Sequence, residues 1–134
     1  MRKSRISGVK PVRRLLGWLT VLLVLSWTET ARAESSGRLV VFTTEYCTYC
    51  KEFMENVAPH YSKTRLGRRF PMTQVDNFSP PGEWEDKAWQ IRFYPTFLVL
   101  DQAGRSLGEF RGYRGEEPFW GELEGIVARI PSGR

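Results

Sequence analysis

The chain holds two cysteines, Cys47 and Cys50, and the segment Cys47-Thr48-Tyr49-Cys50 falls where the hydrophobic period changes. Before it, Leu39-Val40-Val41-Phe42 is a continuous apolar run that reads as a buried strand. After it, Cys50, Phe53 (or Met54), Val57 and Tyr61 recur at helical spacing. The pair thus sits at a strand-to-helix junction, with Cys47 at or just before the first turn. The first N–H groups of a helix lack internal partners and its dipole is positive there, which favours a thiolate over a thiol. Cys47 therefore reads as an attacking sulfur of lowered pKa, and Cys50, one turn inside, as the resolving sulfur.

Other uses of the pair fit the residues less well. A structural zinc site needs about four ligands, and His60 is the only other soft candidate. A purely structural staple gains little from closing so small a loop. Two inert buried cysteines would not need a helix start.

The first 33 residues read as a secretory signal peptide. Arg2, Lys3, Arg5, Lys10, Arg13 and Arg14 precede an apolar run from Leu15 to Trp27, and Ala31-Arg32-Ala33 places small residues before a cleavage point at Glu34. The apolar run is short for a membrane span, which takes about 20 residues; the alternative is an uncleaved N-terminal anchor facing the periplasm. Removing 1–33 takes away 7 of the 20 basic and 1 of the 15 acidic residues, leaving 13 and 14. The basic balance thus belongs to the targeting segment and gives no ground for a nucleic-acid partner. Residues 34–37 are a short polar lead-in, and 38–134 form one small domain.

Within that domain the expected order is strand, helix, strand, helix, strand, strand, helix. The strands fall near 38–43, 70–75, 96–101 and 106–111, and the helices near 48–64, 83–92 and 116–130. Pro59 should kink or shorten the first helix. Asn77, Ser79, Pro80, Pro81 and Gly82 mark a loop. Trp84, Ala88 and Ile91 share one helical face. Phe97-Leu98-Val99-Leu100 has the continuous apolar character of a central strand, Gln102 to Arg105 is a hairpin turn, and Gly112 and Gly115 bracket a loop. Phe119, Leu123, Ile126, Val127 and Ile130 form the stripe of a last helix that Pro131 stops. The fold class is α/β: a four-stranded mixed sheet, βαβ plus ββα, flanked by three helices.

With a lone proline before the third strand, this order resembles the thioredoxin fold over nearly all of 38–130. "LVVFTTEYCTYCK" resembles the active-site segment of the thioredoxin-like superfamily, and "IRFYPTFLVLDQAGRSLGEFRGYRG" its second half. The resemblance implies that Pro95 is cis and that Tyr94-Pro95-Thr96 lies against the cysteines. There it would bind substrate, the Tyr94 backbone pairing with an extended segment. The Cys-x-Tyr-Cys pair, "APHYSKTRLGRRFPMTQVD" and "GYRGEEPFWGEL" resemble more narrowly the periplasmic thioredoxin-like proteins of bacterial sulfur (thiosulfate) oxidation, the Sox system, which implies a role in keeping partner proteins reduced. Two positions depart from better-known relatives. Val41 stands where cytoplasmic thioredoxins bury an aspartate, and Thr48-Tyr49 replaces Gly-Pro or Pro-His.

The function expected is an exported thiol–disulfide oxidoreductase with Cys47 and Cys50 as its redox-active pair. It acts on protein substrates bearing disulfides or Cys adducts, is recharged by a membrane electron donor, and carries no cofactor and no metal. Two rivals use the same pair: a disulfide-forming oxidase of the same fold, and a non-enzymatic chaperone for a soft metal such as copper.

Overall fold

The computed structural model describes residues 35–130. The expected signal segment 1–33 and the helix-stopping Pro131 lie outside the described residues. Four strands form one sheet: β1 (Gly37–Thr43), β2 (Met72–Asp76), β3 (Thr96–Asp101) and β4 (Ser106–Arg111), in the order β2-β1-β3-β4. β1 pairs parallel with β2, while β3 runs antiparallel to both β1 and β4. This is the mixed sheet expected from a βαβ half followed by a hairpin.

The apolar runs of β1 and β3 are continuous because both faces of the sheet are covered. Alternation then divides them. Leu39, Val41, Phe97 and Val99 face one core with Phe53, Phe119 and Leu123, whereas Val40, Phe42, Leu98 and Leu100 face a second with Val75, Ala88 and Ile91. The first core is aromatic at its centre, where Phe53 meets Phe97 edge-on at 4.9 Å and Phe97 stacks on Phe110 at 4.6 Å.

The helices depart from expectation in instructive ways. The segment expected as one helix over 48–64 is broken into α1 (Thr48–Asn56) and α2 (Ala58–Tyr61), and a further short helix, α3 (Arg65–Arg69), follows it. Pro59 cannot donate to the preceding turn, so the chain tightens at Val57 and restarts with Pro59 in the first turn of α2. Thr64 then caps α3, its hydroxyl accepting from Gly67 N at 2.9 Å and donating to the Tyr61 carbonyl at 2.7 Å. Arg65 to Arg69 thus forms its own turn, with Leu66 and Gly67 buried.

The helix expected over 83–92 is a 3₁₀ turn, Gly82–Trp84, followed by the single turn α4 (Glu85–Ala88). Trp84 packs edge-on against Phe42 at 6.0 Å. The last helix, α5 (Glu116–Val127), buries Phe119, Leu123, Ile126 and Val127 as expected and ends three residues early. Among the described residues no helix is long and apolar enough to cross a membrane.

Candidate active site

The cysteine pair, the Tyr94–Pro95 turn and the loop after β4 meet at one end of the sheet. β1 delivers the cysteines there because it ends at Thr43. β3 starts there because it is antiparallel, with Phe42 opposite Thr96. Cys47 is the N-cap of α1, in extended conformation, and its sulfur accepts the Cys50 backbone N–H at 3.1 Å. A sulfur in a cap position satisfies an orphan donor of the helix, and that contact strengthens when the sulfur is a thiolate. Cys47 is half-buried, Cys50 is 2% exposed, and the two are joined as a disulfide with Cα atoms 5.2 Å apart. The outer sulfur is therefore the accessible one and the inner sulfur is shielded behind it.

The Tyr94–Pro95 peptide bond is cis. Thr96 closes the turn around it: the residue is fully buried and its hydroxyl donates to the Phe93 carbonyl at 2.7 Å. The Pro95 carbonyl accepts from Gly112 N at 2.7 Å, which ties the turn to the loop after β4. Gly112 and Gly115 take φ of +77° and +111°, so this loop turns where other residues would be strained. Between them Tyr113 is buried, its ring 5.7 Å from that of Phe53 on α1. Burial pushes the Tyr113 phenol above its usual range, against a side-chain hydrogen bond with Asn56 that lowers it. Tyr94 is half-buried, its hydroxyl accepting from Asn77 Nδ2 at 2.7 Å.

Two clefts flank Tyr94. One, of about 510 Å³, runs between α1 and the loop after β4; Tyr49, Glu52, Phe93, Arg111 and Arg114 line it together with Tyr94. The other, of about 490 Å³, lies on the far side and is walled by Phe78, Trp89 and Ile91. Tyr46, Tyr49, Phe78, Trp89 and Phe93 are the large apolar side chains left exposed among the described residues; four of them line these clefts, and Tyr46 lies in the loop that delivers Cys47. Around the first cleft, Glu109 bonds Lys87 at 2.7 Å and Arg111 at 3.1 Å. Burial alone would raise its carboxyl pKa; the two cations outweigh that and hold it below the usual range.

Each site residue expected from sequence thus reaches this end of the sheet. Tyr49, from between the cysteines, and Tyr94, from before the proline, line one cleft. Tyr49, Glu52, Phe93, Arg111, Tyr113 and Arg114 were not expected as site residues. The Gly112–Gly115 bracket was the available signal, since two glycines around a Tyr-Arg pair mark a turn that presents something. Among the described residues, no group of three or more His, Cys, Asp or Glu gathers as metal ligands do.

A disulfide-forming pair at a strand–helix junction, on a four-stranded sheet with a cis-proline turn at the same end, defines a thiol–disulfide redox protein of the thioredoxin class. A model of the thioredoxin-like domain matches residues 27–126, and the chain belongs to that family. Among solved structures it is similar to the periplasmic thioredoxin SoxS from Paracoccus pantotrophus, at 27% identity and a TM-score of 0.58, over 68% of this chain and 95% of that one. It is also similar to a thioredoxin from Thermus thermophilus, at 26% identity and a TM-score of 0.54, over 68% of this chain and 73% of that one. The thioredoxin of Malassezia sympodialis, at 17% identity, a TM-score of 0.52 and coverage of 71% and 78%, shares the fold. No curated protein sequence matches the chain.

Proposed function

We propose that the chain is an exported oxidoreductase that reduces disulfides or Cys adducts on periplasmic partner proteins. The observation that carries this is the asymmetry of the pair: an accessible Cys47 sulfur held in the helix cap, and a Cys50 that is 2% exposed behind it. The Cys47 thiolate attacks one sulfur of the partner's disulfide, and the other leaves as a thiolate. Cys50, once deprotonated, attacks Cys47 Sγ; the partner's remaining sulfur leaves, and two electrons have passed to the partner. The Cys47–Cys50 disulfide is then reduced again by a membrane electron donor.

Tyr94 and Pro95 line the path of the partner segment, with the Tyr94 backbone available for strand-like pairing. Thr96 serves by holding their turn through its bond to Phe93. The periplasmic site of action draws support from the signal-like sequence of 1–33 and from the likeness to a periplasmic thioredoxin. That likeness also favours a partner within a sulfur-oxidising system.

The test is the reduction potential of the pair, by equilibration of residues 34–134 of the exported form against glutathione. A potential near about −270 mV is expected of a reductase. One near about −120 mV belongs to a disulfide donor and would reverse the proposed direction.

A further inference from the structure

The first cleft has a sign on each wall. On the α1 side stands Glu52, one turn beyond Tyr49; on the β4 side stand Arg111 and Arg114. Arg111 lies over the Phe93 ring at 5.6 Å and shares Glu109 with Lys87, so that three-residue cluster keeps one positive charge. Arg114, exposed at the mouth of the cleft, makes no ion pair or side-chain hydrogen bond with any described residue. The β4 wall is therefore cationic and backed by an aromatic ring, and the opposite wall is anionic.

We infer that this cleft selects partner segments carrying an acidic residue beside the target cysteine, read by Arg114 and Arg111. The inference deepens the proposed function by naming the kind of partner sequence the site prefers. Tyr49, between the two cysteines, and Tyr94, before the cis proline, both line this cleft, so a partner segment that reaches Cys47 past Tyr94 runs beside its two walls. Glu52 disfavours an acid on its own side and the arginines favour one on theirs, so the charges also set the direction in which the segment lies. Phe93, exposed beside Arg111, gives the same segment an apolar contact.

The experiment uses eight-residue peptides with one cysteine held as its 2-thiopyridyl mixed disulfide, and Asp, Ser or Lys at each neighbouring position in turn. Release of thiopyridone reports attack by Cys47 in the reduced exported chain. At one or two positions Asp should exceed Lys by about threefold to tenfold in kcat/KM, the size expected of exposed charge pairs, and 0.5 M salt should erase most of that ratio. In Arg111→Gln/Arg114→Gln the Asp-to-Lys ratio should fall towards one; as a ratio within one protein, it is unaffected by any general loss of reactivity. Equal rates for the Asp and Lys peptides would overturn the inference, as would a preference that survives the double substitution. So would a preference that follows charge on the leaving thiol instead, shown by exchanging thiopyridyl for glutathionyl and hydroxyethyl groups. A reduced chain that reacts with none of the peptides, nor with dithiodipyridine, would sink the oxidoreductase reading itself, a result distinct from reaction without charge preference.

Discussion

Cys47 and Cys50 divide one reaction between an outer and an inner position. Cys47→Ser should abolish disulfide reduction. Cys50→Ser should leave partners attached to Cys47, seen by mass spectrometry as an adduct that dithiothreitol removes; if the adduct never forms, Cys47 is not the attacking sulfur. Tyr61 illustrates what a residue's spacing conceals. Its place on the helical face made it legible as buried, and it is 1% exposed. Its bonds were not legible, because both partners are distant. The hydroxyl donates to the Phe70 carbonyl at 2.8 Å, and the ring stacks on Trp120 at 5.8 Å. Tyr61→Phe leaves that carbonyl without a partner and should cost about 1–2 kcal/mol, read in urea unfolding. Burial also pushes the Tyr61 phenol above its ordinary value of 10.0. Below about pH 10 the phenol is neutral folded or unfolded and the full stability is present. Above that, the unfolded chain ionises first and stability is lost as pH rises through the folded value. Wild type should therefore lose stability faster than Tyr61→Phe above about pH 10; parallel curves would mean the phenol ionises in place.

At the scale of elements, glycines separate positions that look alike in sequence. A Cβ at Gly67 would run into the Tyr61 carbonyl, because α3 crosses the end of α2 with backbone against backbone. Gly67→Ala should therefore destabilise the domain by about 2–3 kcal/mol. Gly121, inside α5, has open space where a Cβ would go, so Gly121→Ala should stabilise by about 0.5–1 kcal/mol. Thermal melts of the two variants should move in opposite directions. The strands were legible because continuous apolar runs between turn residues have few other readings. The short helices were less so. A break after Asn56 depends on Pro59, which was read, but also on Val57 and Tyr61 reaching the core under β1, which only packing reveals. Likewise the run after Ala88 unwinds towards the cis Tyr94–Pro95 bond, a tertiary requirement that overrides the helical pattern of 83–92. The clefts were hidden for the same reason: each wall comes from a different part of the chain.

For the whole molecule, redox state and folding are linked. A pair that gives up electrons readily is one whose disulfide stabilises the folded state more than it does the unfolded chain. The oxidised domain should then melt above the reduced one. A reduced form that melts higher would mark an oxidant, independently of any potentiometric titration. The arrangement of the sheet also orders events in time. β1 lies inside the sheet, with β2 on one side and β3 on the other, and Val41 pairs with Phe97 across most of the domain's length. A nascent chain has made Leu39 to Phe42 long before it has made the strand that closes over them. Until Thr96 to Asp101 follow, that run is an adhesive ribbon open along one side, the state in which neighbouring chains stick and holding chaperones have purchase. Any such chaperone would be occupying the seat of β3, and release would be driven by the chain's own later residues.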